Sequence, residues 1–228
     1  MIHSYSKINT SQNFNEDFKT YSTLGVLQYL QAQLFWNILK ASVIDNHNLP
    51  NVTGEILQID FWPKWFNIQN IRNIYNSKYI EPDMFIRFER FDCIVEVKKT
   101  DRVGQYTDQW ESQTLAYRNE YPEGKQLVYI ALGGNSRLNA STHEKFKHVY
   151  KSTWQGLLRE IVKALKERVS LIYKTEIINQ EIRVLQSVVE AFASCYNEYV
   201  VELFDTISTD YQKIKLPQQK EMEELWRI

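Results

Sequence analysis

An α/β architecture, with a central mixed β-sheet flanked by helices and a helical C-terminal subdomain, rests on three features of this 228-residue chain. Two apolar runs, 84–88 and 93–97, flank the polar pair Glu89-Arg90, which is the pattern of a β-hairpin. A strand–helix–strand series follows at 91–99, 109–120 and 126–132, so its outer strands should be parallel with a right-handed crossover. From Trp154 onward, apolar residues recur at helical steps of three and four. The expected organisation is a core over 1–152 with an N-terminal helix, followed by helices over 153–228 packed on that core or on a partner.

Residues 1–20 are polar and are expected to be loosely held. From Ser22 or Thr23, both plausible caps, Leu27, Leu30, Leu34 and Ile38 sit at helical spacing and predict one long amphipathic helix. The polar stretch 45–51, which contains Pro50, ends it. Residues 55–66 begin as a strand and stop at Pro63. Phe61, Trp62, Trp65 and Phe66 are suited either to core packing or to stacking on bases.

Helix 109–120 has a capping-box-like start at Asp108 and Glu111 and a stop at Pro122 and Gly124. Gln109, Gln113 and Tyr117, four residues apart, share one of its faces. Strand 126–132 is apolar on both faces, as a strand between helix layers should be. It ends in Gly133-Gly134, too short for a phosphate loop, and no GxxxxGK[ST] motif occurs. Between Arg137 and Trp154, cations alternate with aromatics, including Lys145, Lys147 and Lys151. That mixture suits a backbone-tracking nucleic-acid surface or, equally, an amphipathic helix. The stripe from Ile178 to Leu203 is long enough to pair with its predecessor as an antiparallel hairpin or with a second subunit.

Composition sets outer bounds. Apolar content of 43% describes a packed globule, and no run approaches the roughly 20 residues of a membrane span. With no signal-peptide pattern at the start, a soluble cytoplasmic protein is expected. Cys93 and Cys195 lie in apolar surroundings and form no CxxC pair, which predicts neither disulfide nor zinc site. The net charge is −1, but residues 101–174 carry 12 basic against 8 acidic residues and 175–228 carry 5 against 10. One face could therefore meet a polyanion and another a different partner.

The chemistry concentrates in 81–99. Alternation along the second hairpin strand sends Glu96 and Lys98 to one face, and an even-numbered connection puts Asp83 on that same face. Two carboxylates about 4 Å apart repel by roughly 4 kcal/mol at an effective dielectric near 20, so such a pair calls for a cation. Oxygen ligands of this kind suit Mg²⁺. The alternative is an ordinary strand-end ion pair between Glu96 and Lys98.

Pro82-Asp83, followed on the next strand by Glu96-Val97-Lys98, resembles the PD-(D/E)XK nuclease superfamily. Acid-x-Lys alone would arise by chance about twice among 28 acids and 17 lysines. Of its three occurrences, at Asp17, Glu96 and Glu123, only that at Glu96 ends a strand-like run with Pro-Asp on the preceding strand. The resemblance implies a restriction-endonuclease-like core and Mg²⁺- or Mn²⁺-dependent cleavage of nucleic acid, DNA before RNA. It makes Asp83 and Glu96 metal ligands, with the Val97 carbonyl as a further one, and Lys98 the catalytic lysine. Gln113 and Tyr117 are similar to a Gln-x-x-x-Tyr element of that superfamily, in which the glutamine supports the lysine or the water.

Many relatives carry a further acid on the first helix. The helix expected here from Ser22 has only glutamines, leaving Glu55 as a candidate substitute. Lys99, Lys145, Lys147 and Lys151 are the candidate nucleic-acid contacts. The low overall charge suggests a nuclease subunit of a restriction or anti-phage assembly, with a protein partner or homodimer contact through the C-terminal helices. Its rivals are an inactive nucleic-acid-binding relative and a helical scaffold.

Overall fold

The computed structural model describes residues 15–71, 78–102, 104–135 and 146–200. Five strands and five helices occur among them, in the order α1 (Glu16–Leu27), α2 (Ala32–Ser42), β1 (Ile56–Phe61), β2 (Met84–Phe88), β3 (Phe91–Val97), α3 (Thr107–Glu120), β4 (Gln126–Leu132), β5 (Val149–Ser152), α4 (Trp154–Ser170) and α5 (Glu176–Tyr196). The strands form one mixed sheet in the order β1-β2-β3-β4-β5. The first three are antiparallel, and β3, β4 and β5 are parallel. This is the α/β class expected, with the hairpin and the β3-α3-β4 unit in their expected places.

All seven residues of β3 are buried, because helices cover both of its faces. On one face Trp110, Ala116 and Tyr117 of α3 meet Phe85, Ile94, Tyr129 and Ala131. On the other, the ring of Trp36 in α2 lies 5.9 Å from Phe88 and 4.7 Å from Phe91. Among the element pairs that pack together are α2 with α4, α4 with α5, and α1 with α5. The compact unit containing the sheet and all five helices runs to Glu198, and a second unit begins at Tyr199. The tail beyond residue 200, with Leu203, Trp226 and Ile228, lies outside the described residues.

The N-terminal region departs from expectation in two ways. The single long helix is two helices, and the first begins at Glu16, inside the stretch expected to be loose. Asn15 caps it, its Oδ1 accepting the Phe18 amide at 2.9 Å. The break lies at Gln28–Gln31, where Gln31 is extended (ψ 143°) and Leu27 and Leu30 are both buried. A straight helix over 16–42 would run about 40 Å, whereas a seven-residue strand runs only about 23 Å, so the fold of the chain returns α2 to the sheet.

Three smaller differences follow the same logic. Residues 149–152 form a strand, not part of an amphipathic helix. Its neighbours Phe146 and Trp154 are core residues. Helix α5 stops at Tyr196, where Asn197 takes a left-handed conformation (φ 53°) and the Glu198 amide reaches back to the Phe192 carbonyl at 3.1 Å, so Val200 of the stripe lies beyond the helix. Helix α3 starts at Thr107 without a side-chain cap, with Asp108 in its first turn.

Candidate active site

The site is built by hairpin register. Glu89 and Arg90 form the two-residue connection between β2 and β3, and Met84 pairs with Val95. One step further, Asp83 faces Glu96. Because side chains alternate, both project onto the face covered by α3. Asp83 Oδ2 accepts the Val97 amide at 2.7 Å, which pins the aspartate across the strand pair.

Glu96 is 1% exposed and its carboxylate is surrounded by donors. Oε1 accepts Lys98 Nζ at 2.5 Å and Gln109 Nε2 at 2.6 Å, and Oε2 accepts Gln113 Nε2 at 2.7 Å. The Tyr129 hydroxyl donates in turn to Gln113 Oε1. Both glutamines therefore hold the glutamate, where the resemblance implied support of the lysine or the water. Tyr117, on the same helical face, instead donates to Asp92 at 2.9 Å at the other end of β3.

Lys98 also donates to the Val97 carbonyl at 2.9 Å. Its ammonium thus bridges two of the oxygens expected to be metal ligands. These are hard donors that already converge on a cation, which is the chemistry Mg²⁺ or Mn²⁺ requires. Its backbone is held as firmly: the Lys98 amide donates to Leu132 O at 2.9 Å, and its carbonyl accepts Trp154 Nε1 at 2.7 Å. Gly133 (φ 75°) allows this approach, since a Cβ there would lie 2.5 Å from the Lys98 carbonyl.

A third acid joins the cluster, and it is not Glu55. The Glu55 amide lies 3.4 Å from Glu89 Oε2, at the turn end of the hairpin, a strand's length from Asp83. Instead Glu16, in the first turn of α1, puts Oε1 at 4.0 Å from Lys98 Nζ while its Oε2 accepts the Lys99 amide at 2.6 Å. The signal was present in the sequence: Asn15 followed by Glu16 and Asp17 is a helix start. Starting the helix at Ser22 hid it.

Burial and the neighbouring Glu96 charge hold the Asp83 carboxyl well above the usual carboxylate range. Burial likewise raises Glu96, outweighing the attraction of Lys98 and the Gln113 hydrogen bond. For Lys98, burial pulls downward, but the charges of Glu96, Glu16 and Asp83 prevail and hold it above its ordinary value. Lys98 is therefore an ammonium at neutral pH, fit to orient or neutralise an anion and not to accept a proton. Among the described residues, no three His, Cys, Asp or Glu side chains are arranged as a ready metal cage.

The candidate nucleic-acid lysines are dispersed. Lys99 is exposed beside the cluster. Lys151 is paired with Ala131, itself paired with Glu96, so it shares their face two strand spacings away, about 10 Å. Lys147 is exposed just before β5, and Lys145 lies outside the described residues. Cys93 is buried and Cys195 half-buried, and both are free thiols.

No described helix is long and apolar enough to cross a membrane. No family model matches the chain. No solved structure matches it significantly. The chain is similar to an uncharacterised protein of Pasteurella multocida (strain Pm70), 24% identical over 139 residues covering 60% of this chain and 49% of that protein. It thus spans about half the length of that relative.

Proposed function

We propose that this chain is a Mg²⁺- or Mn²⁺-dependent nuclease of the PD-(D/E)XK type, hydrolysing phosphodiester bonds, DNA in preference to RNA. The observation that carries the reading is the meeting of Asp83, Glu96 and Lys98 on one face of a hairpin, with the lysine ammonium already between the Glu96 carboxylate and the Val97 carbonyl. Asp83, Glu96 and the Val97 carbonyl would hold the ion, with Glu16 alongside. When bound, such an ion polarises a phosphoryl oxygen and makes water a stronger nucleophile.

The chain's own residues do the rest. Water attacks phosphorus as the bond to the leaving oxygen breaks, a proton of the water passing through solvent to the leaving oxygen, and negative charge grows on the phosphoryl oxygens. Lys98, held as an ammonium, would yield the Glu96 and Val97 oxygens to the ion and donate hydrogen bonds toward that charge. Gln109 and Gln113 keep the Glu96 carboxylate in one orientation, and Tyr129 does the same for Gln113.

The test is degradation of plasmid DNA, single-stranded DNA and RNA with Mg²⁺, with Mn²⁺ and with chelator. Lys98→Ala should lose activity by about 10²-fold or more, the scale of removing one preorganised donor, and Glu96→Ala at least as much. Equal activity in wild type and both variants overturns the reading. The net charge of −1 supports the further view that the chain is the nuclease subunit of a larger restriction or anti-phage assembly. Vigorous cutting by the purified chain alone would count against that view.

One observation favours a second reading, an inactive relative that binds nucleic acid or scaffolds a complex. Both Glu96 oxygens are already occupied by protein donors. Absence of Mg²⁺ or Mn²⁺ binding in calorimetry, together with retained nucleic-acid binding, would select this reading.

A further inference from the structure

Beside the carboxylate cluster, residues 61–66 turn Phe66 outward while Trp65 is buried and Phe61 and Trp62 are half-buried. An isolated antiparallel bridge joins Trp65 to Ile80, each amide donating to the other's carbonyl at 2.9 Å. Both side chains enter the core, at 4% and 6% exposure. Alternation across that bridge then throws Lys64, Phe66 and Tyr79 outward together. The Phe66 and Tyr79 rings meet edge-on at 6.0 Å, and Lys64 Nζ stands 4.9 Å from the Tyr79 ring centre. Phe66 is 66% exposed, far more than a packing residue needs.

A second aromatic group adjoins the site through Trp62. Trp62 has a left-handed backbone (φ 51°), which is costly for a bulky residue, and its amide donates to the Asp83 carbonyl at 3.1 Å. Its ring lies 5.8 Å from Phe61, which meets the exposed Tyr21 of α1 at 6.2 Å. Tyr21, Phe61 and Trp62 therefore link α1, which carries Glu16, to the backbone of Asp83.

We propose that Tyr21, Trp62, Phe66 and Tyr79, with Lys64, form a stacking ledge for unpaired bases, so that the substrate entering the carboxylate cluster is single-stranded nucleic acid. Exposed ring faces can stack only on bases that are not already paired within a duplex, and a cation set over one ring supplies a backbone contact. The proposal rests on the nuclease reading for what happens after binding, but not for binding itself.

Binding is measured by fluorescence anisotropy in chelator, using a short labelled oligothymidylate and a blunt duplex, so that cleavage plays no part. The wild type should bind the single strand at least about tenfold more tightly. Phe66→Ala and Tyr79→Ala should each weaken it by roughly fivefold to a hundredfold, the range for losing one stacked base, with the duplex unaffected. Lys64→Gln should reduce the slope of log affinity against log salt by about 0.7, a change that a purely structural role would not produce.

Equal binding of single strand and duplex overturns the proposal, as does single-strand binding unchanged in Phe66→Ala and Tyr79→Ala. Self-association that disappears in Phe66→Ala, with no oligonucleotide binding, also overturns it, in favour of a protein contact. A chain that binds single strands through these residues yet never cleaves them sinks only the nuclease reading. One that cleaves while ignoring the ledge sinks only this proposal.

Discussion

Asp83→Asn should make the protein more stable while abolishing the proposed nuclease activity. Asp83 and Glu96 face each other across an antiparallel pair, where Cβ atoms lie about 5 Å apart. Two unit charges at about 5 Å repel by about 3 kcal/mol at an effective dielectric near 20. Two effects offset this: the Lys98 ammonium attracts Asp83, and the Val97 amide hydrogen bond, which asparagine can still accept through Oδ1, weakens by about 1 kcal/mol once the acceptor is neutral. A net gain of about 1–2 kcal/mol remains, or about 2–8 °C in melting temperature for a domain of this size.

The assay is thermal unfolding followed by circular dichroism in chelator from acid to neutral pH. Because the Asp83 carboxyl pKa is raised on folding, the folded protein holds that proton more tightly than the unfolded chain does. Wild-type stability therefore falls as pH rises from the ordinary carboxyl range through the raised value, and it stays lower above it. The variant's advantage should be full at pH above the raised value and close on acidification through it. Mg²⁺ should raise the wild-type midpoint and leave that of Asp83→Asn nearly unmoved. A variant that melts below wild type, or a gap independent of pH, would refute the like-charge account of the site.

Gln113→Ala should destabilise by about 2–6 kcal/mol in urea unfolding, since it strips a buried partner from both Tyr129 and Glu96 at about 1–3 kcal/mol each. Gln109→Ala, at a half-buried position that water can refill, should cost clearly less. Lys19, 1% exposed, pairs with Glu198 at 2.6 Å and lies 4.5 Å from the Trp154 ring centre. Lys19→Met should cost about 3 kcal/mol, the low end for breaking a buried pair because Glu198 keeps some contact with solvent. Adding Glu198→Leu should recover most of that loss, and failure to recover it would show that the ammonium acts mainly through the rings.

How much of this could be read in the chain depended on how local each signal was. The hairpin was legible because two apolar runs bracket Glu89-Arg90, and a two-residue connection leaves one register that keeps both strands buried. The shared face of Asp83, Glu96 and Lys98 follows from an even-numbered connection; that Asp83 stands opposite Glu96 and not Lys98 was decided by the two-residue turn. Helix α3 and its Gln109, Gln113 and Tyr117 face were legible by spacing, but their partners were not: two side chains reach Glu96 and the third reaches Asp92, because the helix runs along β3 instead of ending over it. Glu16 is not legible as a site residue because it lies in a polar stretch, although Asn15 is a sound cap.

By itself, the sequence determined the α/β class, the hairpin, the β3-α3-β4 crossover and the two acids and one lysine that share a face, since each follows from periodicity over a few neighbouring residues. Only the tertiary structure decided that α1 and α2 are separate helices, that Glu16 and not Glu55 approaches Lys98, and that Trp65 turns inward while Phe66 turns out. These outcomes depend on where distant segments find room to bury their apolar surface. That is a property of the packed sheet, not of any short stretch of chain.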